Sequence, residues 1–297
     1  MRENPAKKTA VQMGKEGRHS YLFWLLVPIV LIWLTFGYVI GLIREKPLWQ
    51  HQGKLSLETS AVVPYFQNYP TIAQTFDQSF ITLWFDDAWL SQYMAAYPKL
   101  KTLAFPGTVA VPVNAIETTN YMNWAQLRTL QKNGWEITNH SLSHDCTMQT
   151  WNREKVVSEY EISKLTLWKN KLTSDIFVTP CGVDGSLMRG EAKRAFLGYR
   201  TVDPGFNDLT NLDFNNLKVK NIDSEVSVDD IKQWIDDAKQ SRSWLILVFH
   251  RVGENSSDLT DESFNMRTED FEAILEYIKL SNIQVVVPSQ MRPSVAQ

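Results

Sequence analysis

The stretch Ile81-Thr82-Leu83-Trp84-Phe85-Asp86-Asp87 decides how this chain is read. Its first five residues form a short apolar run of strand-forming side chains, and two adjacent carboxylates follow directly. Trp89 to Tyr97 then reads as helix, and the same alternation continues to the end of the chain. TLAF (102–105), WEIT (135–138), DIFV (175–178), YRTV (199–202), LKVK (217–220), WLILVF (244–249) and QVVV (284–287) read as strands. Helical spacing covers 121–133, 152–171, 190–197, 228–240 and 269–280, the second of these carrying Val156, Tyr160, Leu165 and Trp168. Strands alternating with helices predict an α/β fold with a parallel sheet. Seven or eight such units favour a (β/α) barrel over an open doubly wound sheet. No glycine-rich phosphate loop follows the first strand, which counts against a nucleotide-binding version.

Working outward, the 297 residues suit one barrel-sized domain with something added. A net charge of −3 argues against a nucleic-acid partner. Two cysteines are too few for a disulfide framework or a four-thiolate zinc site. Apolar residues are unevenly spread: Tyr21 to Ile43 is a run of twenty-three residues without a charge. As a helix it is about 34 Å long, enough to cross a hydrocarbon core of about 30 Å. It is too long for the apolar part of a cleaved signal peptide and lacks an obvious cleavage site. Arg2, Lys7, Lys8, Lys15 and Arg18 precede it, against Arg44 and Lys46 just after, so the N-terminus is expected in the cytoplasm and the rest outside or in the periplasm. The expected organisation is a basic tail (1–20), a single-span membrane anchor (21–43), a stalk or extension (44–79) and a domain over 80–297.

In a barrel, functional residues gather where strands end. Three strand ends carry chemistry here: Asp86-Asp87, His140-Ser141-Leu142-Ser143-His144, and His250. Taken singly, each has a bland reading as a turn, an exposed helical turn or a polar strand cap. Taken together, they feed one face. Two imidazoles and a carboxylate suit a divalent metal and leave positions open for water and substrate. A spacing of four on one helical turn would set His140 beside His144. Of the paired aspartates, one can bind the metal while its neighbour takes a proton from water. His250 can protonate a leaving group. This equipment suits hydrolysis of an amide or ester.

The ordered set resembles the polysaccharide deacetylases with the NodB-homology domain, carbohydrate esterase family 4, over roughly residues 80–290. The family's Thr-Phe-Asp-Asp motif is matched by Trp84-Phe85-Asp86-Asp87, its His-Ser/Thr-x-x-His by His140 to His144, and its Leu-x-x-His by Leu247 to His250. The resemblance implies a distorted (β/α) barrel of about seven parallel strands. It implies Asp86 as general base, Asp87, His140 and His144 as ligands of a divalent metal (zinc, with cobalt and nickel as alternatives), and His250 as general acid. The third motif, Arg-x-Pro-aromatic, aligns with Val178-Thr179-Pro180-Cys181, so the oxyanion donor would be the backbone N–H of Cys181. Val178 stands where the family has arginine, and Arg200 or Arg189 is the candidate replacement. In the region of the fourth motif, Asp203 is the candidate to orient His250, with a loop cap as the alternative. Cys146 and Cys181 flank the expected pocket, as a disulfide, as free thiols, or with one sulfur near the metal. The implied activity is removal of N-acetyl groups from N-acetylhexosamine units of a surface or wall polysaccharide. An O-acetyl esterase and an inactive carbohydrate-binding domain are the alternatives.

Overall fold

The computed structural model describes residues 78–253 and 264–292. The expected basic tail 1–20, membrane anchor 21–43 and stalk up to residue 77 lie outside the described residues. Among those described, no helix is long and apolar enough to cross a membrane.

Seven parallel strands run in chain order around a barrel: β1 (Phe80–Phe85), β2 (Thr108–Val111), β3 (Glu136–Asn139), β4 (Ile176–Val178), β5 (Gly198–Pro204), β6 (Leu217–Asn221) and β7 (Trp244–Phe249). The ring closes where β7 pairs back along the whole of β1, from Phe80 opposite Trp244 to Phe85 opposite Phe249. A short pair, β8 (Arg251–Val252) and β9 (Asn265–Met266), follows the last barrel strand. QVVV contributes β10 (Gln284–Val285), which pairs with Phe80 and Ile81 beside the ring instead of closing it. The reason is register: β2 reaches only Trp84 and Phe85, which leaves the first half of that edge of β1 open to β10.

The strand expected at TLAF is displaced. Residues Tyr97–Thr102 form α1, Leu103 and Phe105 donate their N–H groups to the Leu100 carbonyl, and Ala104 takes φ 55° to turn the chain. The second strand is therefore TVAV, immediately downstream. The remaining helices fall where spacing puts them: α2 (Trp124–Lys132), α3 (Arg153–Lys169), α4 (Ser186–Ala195), α5 (Val228–Ser241) and α6 (Thr268–Ser281). Three have side-chain caps: Asn123 with Gln126 on α2, Asn152 on α3, and Ser227 with Asp230 on α5. Each satisfies amide groups that a helix start leaves without partners.

Period-two alternation divides the core. Phe80 and Trp84 of β1 join Trp244, Ile246 and Val248 of β7 in one cluster made of strand and loop residues, which is the barrel interior. Ile81, Leu83 and Phe85 face the other way, packing with Leu127, Ile231, Phe271 and Ile274 of the surrounding helices. Phe85 stacks on both Trp135 and Phe249, at 5.2 and 5.4 Å between ring centres. Truncating an interior aromatic such as Trp84 to alanine would cost about 3–5 kcal/mol. On α3 the buried stripe is Val156, Glu159, Tyr160, Ser163 and Leu167, so Leu165 and Trp168 project outward rather than inward. Two polar residues on that stripe, Glu159 and Ser163, serve the site described next.

Candidate active site

Asp86, His140 and His250 directly follow β1, β3 and β7, and so meet at one end of the barrel. Gln92, fully buried, ties two of these ends together by donating from Nε2 to the backbone carbonyls of Asp86 and His250. Asp87 follows with φ 74°, a left-handed turn that swings its carboxylate towards the histidines.

The His140–His144 segment is not a helical turn. Ser141 and His144 have φ 69° and 56°, and the segment is built by side-chain hydrogen bonds to backbone. Asn139 Oδ1 accepts from the Ser141 N–H at 2.9 Å, and Ser141 Oγ accepts from the His144 N–H at 2.8 Å. Glu159 of α3 takes both the N–H and the hydroxyl of Ser143, at 2.6 and 2.7 Å. Ser163 holds Asn139 from the same helix. The two imidazoles still meet, 4.8 Å apart between ring centres, but serine and asparagine hydrogen bonds bring them together, not helical spacing.

Asp87 Oδ1 lies 3.3 Å from His140 Nε2 and 3.1 Å from His144 Nε2. His140 Nδ1 donates to the Val178 carbonyl at 3.0 Å, which fixes the ring with Nε2 towards the cluster. Ligand atoms of Asp87, His140 and His144 all lie within 4.8 Å of one another. Two imidazole nitrogens and a carboxylate oxygen so arranged fit a divalent metal. Burial opposes the Asp87 carboxylate, but the hydrogen bonds from His140 and His144 outweigh it and hold it well below the usual range. Burial likewise opposes a charged His144, but the hydrogen bond and charge of Asp87 raise it above its ordinary 6.5. The other oxygen of Asp87 is held by Trp89, whose indole N–H donates to Oδ2 at 3.0 Å. Trp89 is stacked on Tyr121 at 4.2 Å, and the Arg251 guanidinium lies 4.2 Å from its ring centre.

Asp86 is buried and bound by a buried arginine. Arg200 Nη2 lies 2.5 Å from both carboxylate oxygens, and its guanidinium rests over Trp84 of the barrel interior, 4.8 Å from the ring centre. Of the two candidate replacements for the missing arginine, Arg200 is the one at the site. Arg189 is engaged elsewhere, with Asp184 at 2.6 Å and Asn216 at 2.9 Å. It also draws in Asp203, at 3.5 Å, and Asp203 is half exposed. Asp203, expected to orient His250, is paired with Arg189 here. His250 packs on Phe264 at 4.6 Å, and its buried Nδ1 has no hydrogen-bond partner among the described residues. Burial lowers its pKa below 6.5 against the pull of Asp86 and Asp87.

Cys146 and Cys181 form a disulfide, with the Cα atoms 5.4 Å apart. It joins the segment after His144 to the turn Pro180–Gly182, in which Cys181 has φ 52°. Sequence reasoning missed Trp89, Gln92 and Glu159. Glu159 gave no clear signal either, because the apolar spacing of its helix pointed to Leu165 and Trp168, which face outward.

Residues 73–202 match the polysaccharide deacetylase family. No curated protein matches the chain. Among solved structures, the Xyl-CE4 domain of a multidomain xylanase from the hindgut metagenome of Trinervitermes trinervoides is similar at 16% identity and TM-score 0.51, covering 72% of this chain and 89% of that one. A mutant of BA3943, described as a CE4 family pseudoenzyme with restored activity, is similar at 13% identity and TM-score 0.51, covering 73% and 68%. The T48 deacetylase solved with substrate is similar at 14% identity and TM-score 0.50, covering 72% and 90%. At these identities the likeness is one of fold.

Proposed function

We propose that this chain, whose residues 73–202 match the polysaccharide deacetylase family, is a metal-dependent hydrolase that removes acetyl groups from N-acetylhexosamine units of a polysaccharide. The observation that carries this reading is the convergence of Asp87, His140 and His144 beside the buried Asp86–Arg200 pair.

Asp87, His140 and His144 would hold the metal, most readily zinc. A divalent metal there supplies Lewis acidity, which makes an acyl carbonyl more electrophilic and water more acidic. Asp86 takes the proton of the attacking water, its carboxylate kept in one orientation by Arg200. The backbone N–H of Cys181 steadies the oxyanion, in a turn tied by the disulfide to the metal-ligand segment. His250 passes a proton to the departing amine, and Gln92 fixes its backbone relative to that of Asp86.

A second reading, O-acetyl ester hydrolysis, is favoured by one observation. Burial lowers the His250 pKa and so favours the neutral imidazole, and an alkoxide leaving group needs less of its proton than an amine does.

We place the domain outside the cytoplasm, tethered by the uncharged run 21–43 with its basic N-terminal flank. The Cys146–Cys181 disulfide supports an oxidising compartment. The full-length chain should release acetate from N-acetylglucosamine oligomers, stop on chelation and resume when zinc is returned. Metal-loaded protein that releases no acetate from any amide-bearing or ester-bearing sugar would overturn the proposal.

A further inference from the structure

The segments that follow β3 and β4 meet at the rim of the site, where Cys146 and Cys181 are exposed and joined as a disulfide. His144, Cys146 and Cys181 present one nitrogen and two sulfurs within 4.8 Å of one another. His144 also belongs to the Asp87–His140–His144 set, so two three-donor groups share one imidazole. The chain has no other cysteine. While the disulfide is closed, neither sulfur is available as a ligand, because metals bind the thiolate.

From this geometry we infer that the Cys146–Cys181 disulfide closes off a second metal site, composed of His144 and two thiolates, which forms on reduction and draws the metal away from Asp87 and His140. A dithiol reductant supplies two electrons and two protons, the S–S bond becomes two thiols, and the reductant becomes its own disulfide. Metal binding then displaces the two thiol protons. The space is adequate. Thiolates each about 2.3 Å from a tetrahedral zinc stand about 3.8 Å apart, a separation that side-chain rotation allows at a Cα spacing of 5.4 Å. The chemistry favours the move, since zinc and cobalt bind thiolate sulfur more firmly than a carboxylate oxygen. Exposure of both cysteines gives a reductant access. This inference stands on the donor geometry alone and holds whether the substrate is an amide or an ester.

The test uses cobalt(II) as the probe, in the full-length chain. The oxidised protein should show visible cobalt absorption without a sulfur-to-cobalt charge-transfer band in the near ultraviolet. After reduction with a dithiol that is then removed, the band should appear, with bound cobalt still at one per chain because His144 is shared. Reoxidation should abolish the band, which also shows that the fold survived. The Cys146→Ser/Cys181→Ser variant should bind cobalt with the oxidised-type spectrum under both conditions. Full cobalt occupancy in the reduced protein with no charge-transfer band would overturn the inference. So would two cobalt ions per reduced chain, since the groups would then not compete for His144.

Discussion

Val178 and Arg200 are register partners on β4 and β5, so the guanidinium that binds Asp86 enters the barrel from the strand beside the one where the deacetylase motif carries its arginine. Parallel register partners present their side chains to the same face at the same height, and Val178 belongs to the interior cluster. Arg200 therefore stands at the height of Val178, one strand along the barrel.

This makes a swap informative. Arg200→Val alone should abolish most activity and, by leaving the Asp86 charge buried without a partner, destabilise the domain by about 3–5 kcal/mol. Adding Val178→Arg should recover a measurable part of both, followed by acetate release and urea denaturation. A double variant no better than Arg200→Val would contradict the account.

Trp89 should act on metal affinity. Its indole N–H fixes the oxygen of Asp87 that does not face the histidines. Trp89→Phe keeps the stacking area over Tyr121 but removes that donor. Metal affinity, measured by competition with a chromophoric chelator, should fall by about 10–100-fold. An unchanged affinity would make the tryptophan a packing residue only.

His250 should separate amide from ester chemistry. Its lowered pKa means that the protonated form needed to release an amine is lost as pH rises. The ratio of amide to ester turnover in the native protein should therefore fall with rising pH. In His250→Ala the ratio should become flat and amide turnover should drop by about 10²–10⁴. Equal losses on both substrates would assign the imidazole another task.

Glu136 predicts a stability slope away from the site. Its carboxyl accepts the N–H and hydroxyl of Ser289, yet burial pushes it up to about 7. Between pH 4.5 and 7 the folded chain keeps a proton that the unfolded chain has lost, so stability falls as pH rises through that window and levels off above it. The rise from 4.5 to about 7 corresponds to about 3 kcal/mol. Glu136→Gln should be more stable than the native chain at pH 8 and lose this slope in denaturation curves across the window.

Much of this was legible before any coordinates. WLILVF is β7 residue for residue, because a strand buried on both faces needs an unbroken apolar run. The carboxylates and histidines at strand ends were legible because a parallel barrel gathers such ends at one rim. TLAF misled because its apolar residues close α1 instead of starting a strand, which short apolar runs cannot distinguish. The His140–His144 segment misled differently: spacing of four suggests a helix, while Asn139, Ser141 and Glu159 build another route to the same proximity. Arg200 was one of two candidates in the sequence, and only lateral register could choose between them. Trp89 and Gln92 act across the fold on partners that spacing alone does not reveal.

The most direct test of the central claim is acetate release from N-acetylglucosamine oligomers by the zinc-loaded full-length chain and by its Asp86→Asn variant, with bound zinc quantified in both. The account predicts equal zinc content and a loss of about 10²–10⁴ in turnover for the variant, as expected for removal of a general base. Native turnover by the Asp86→Asn protein at full zinc occupancy would contradict it.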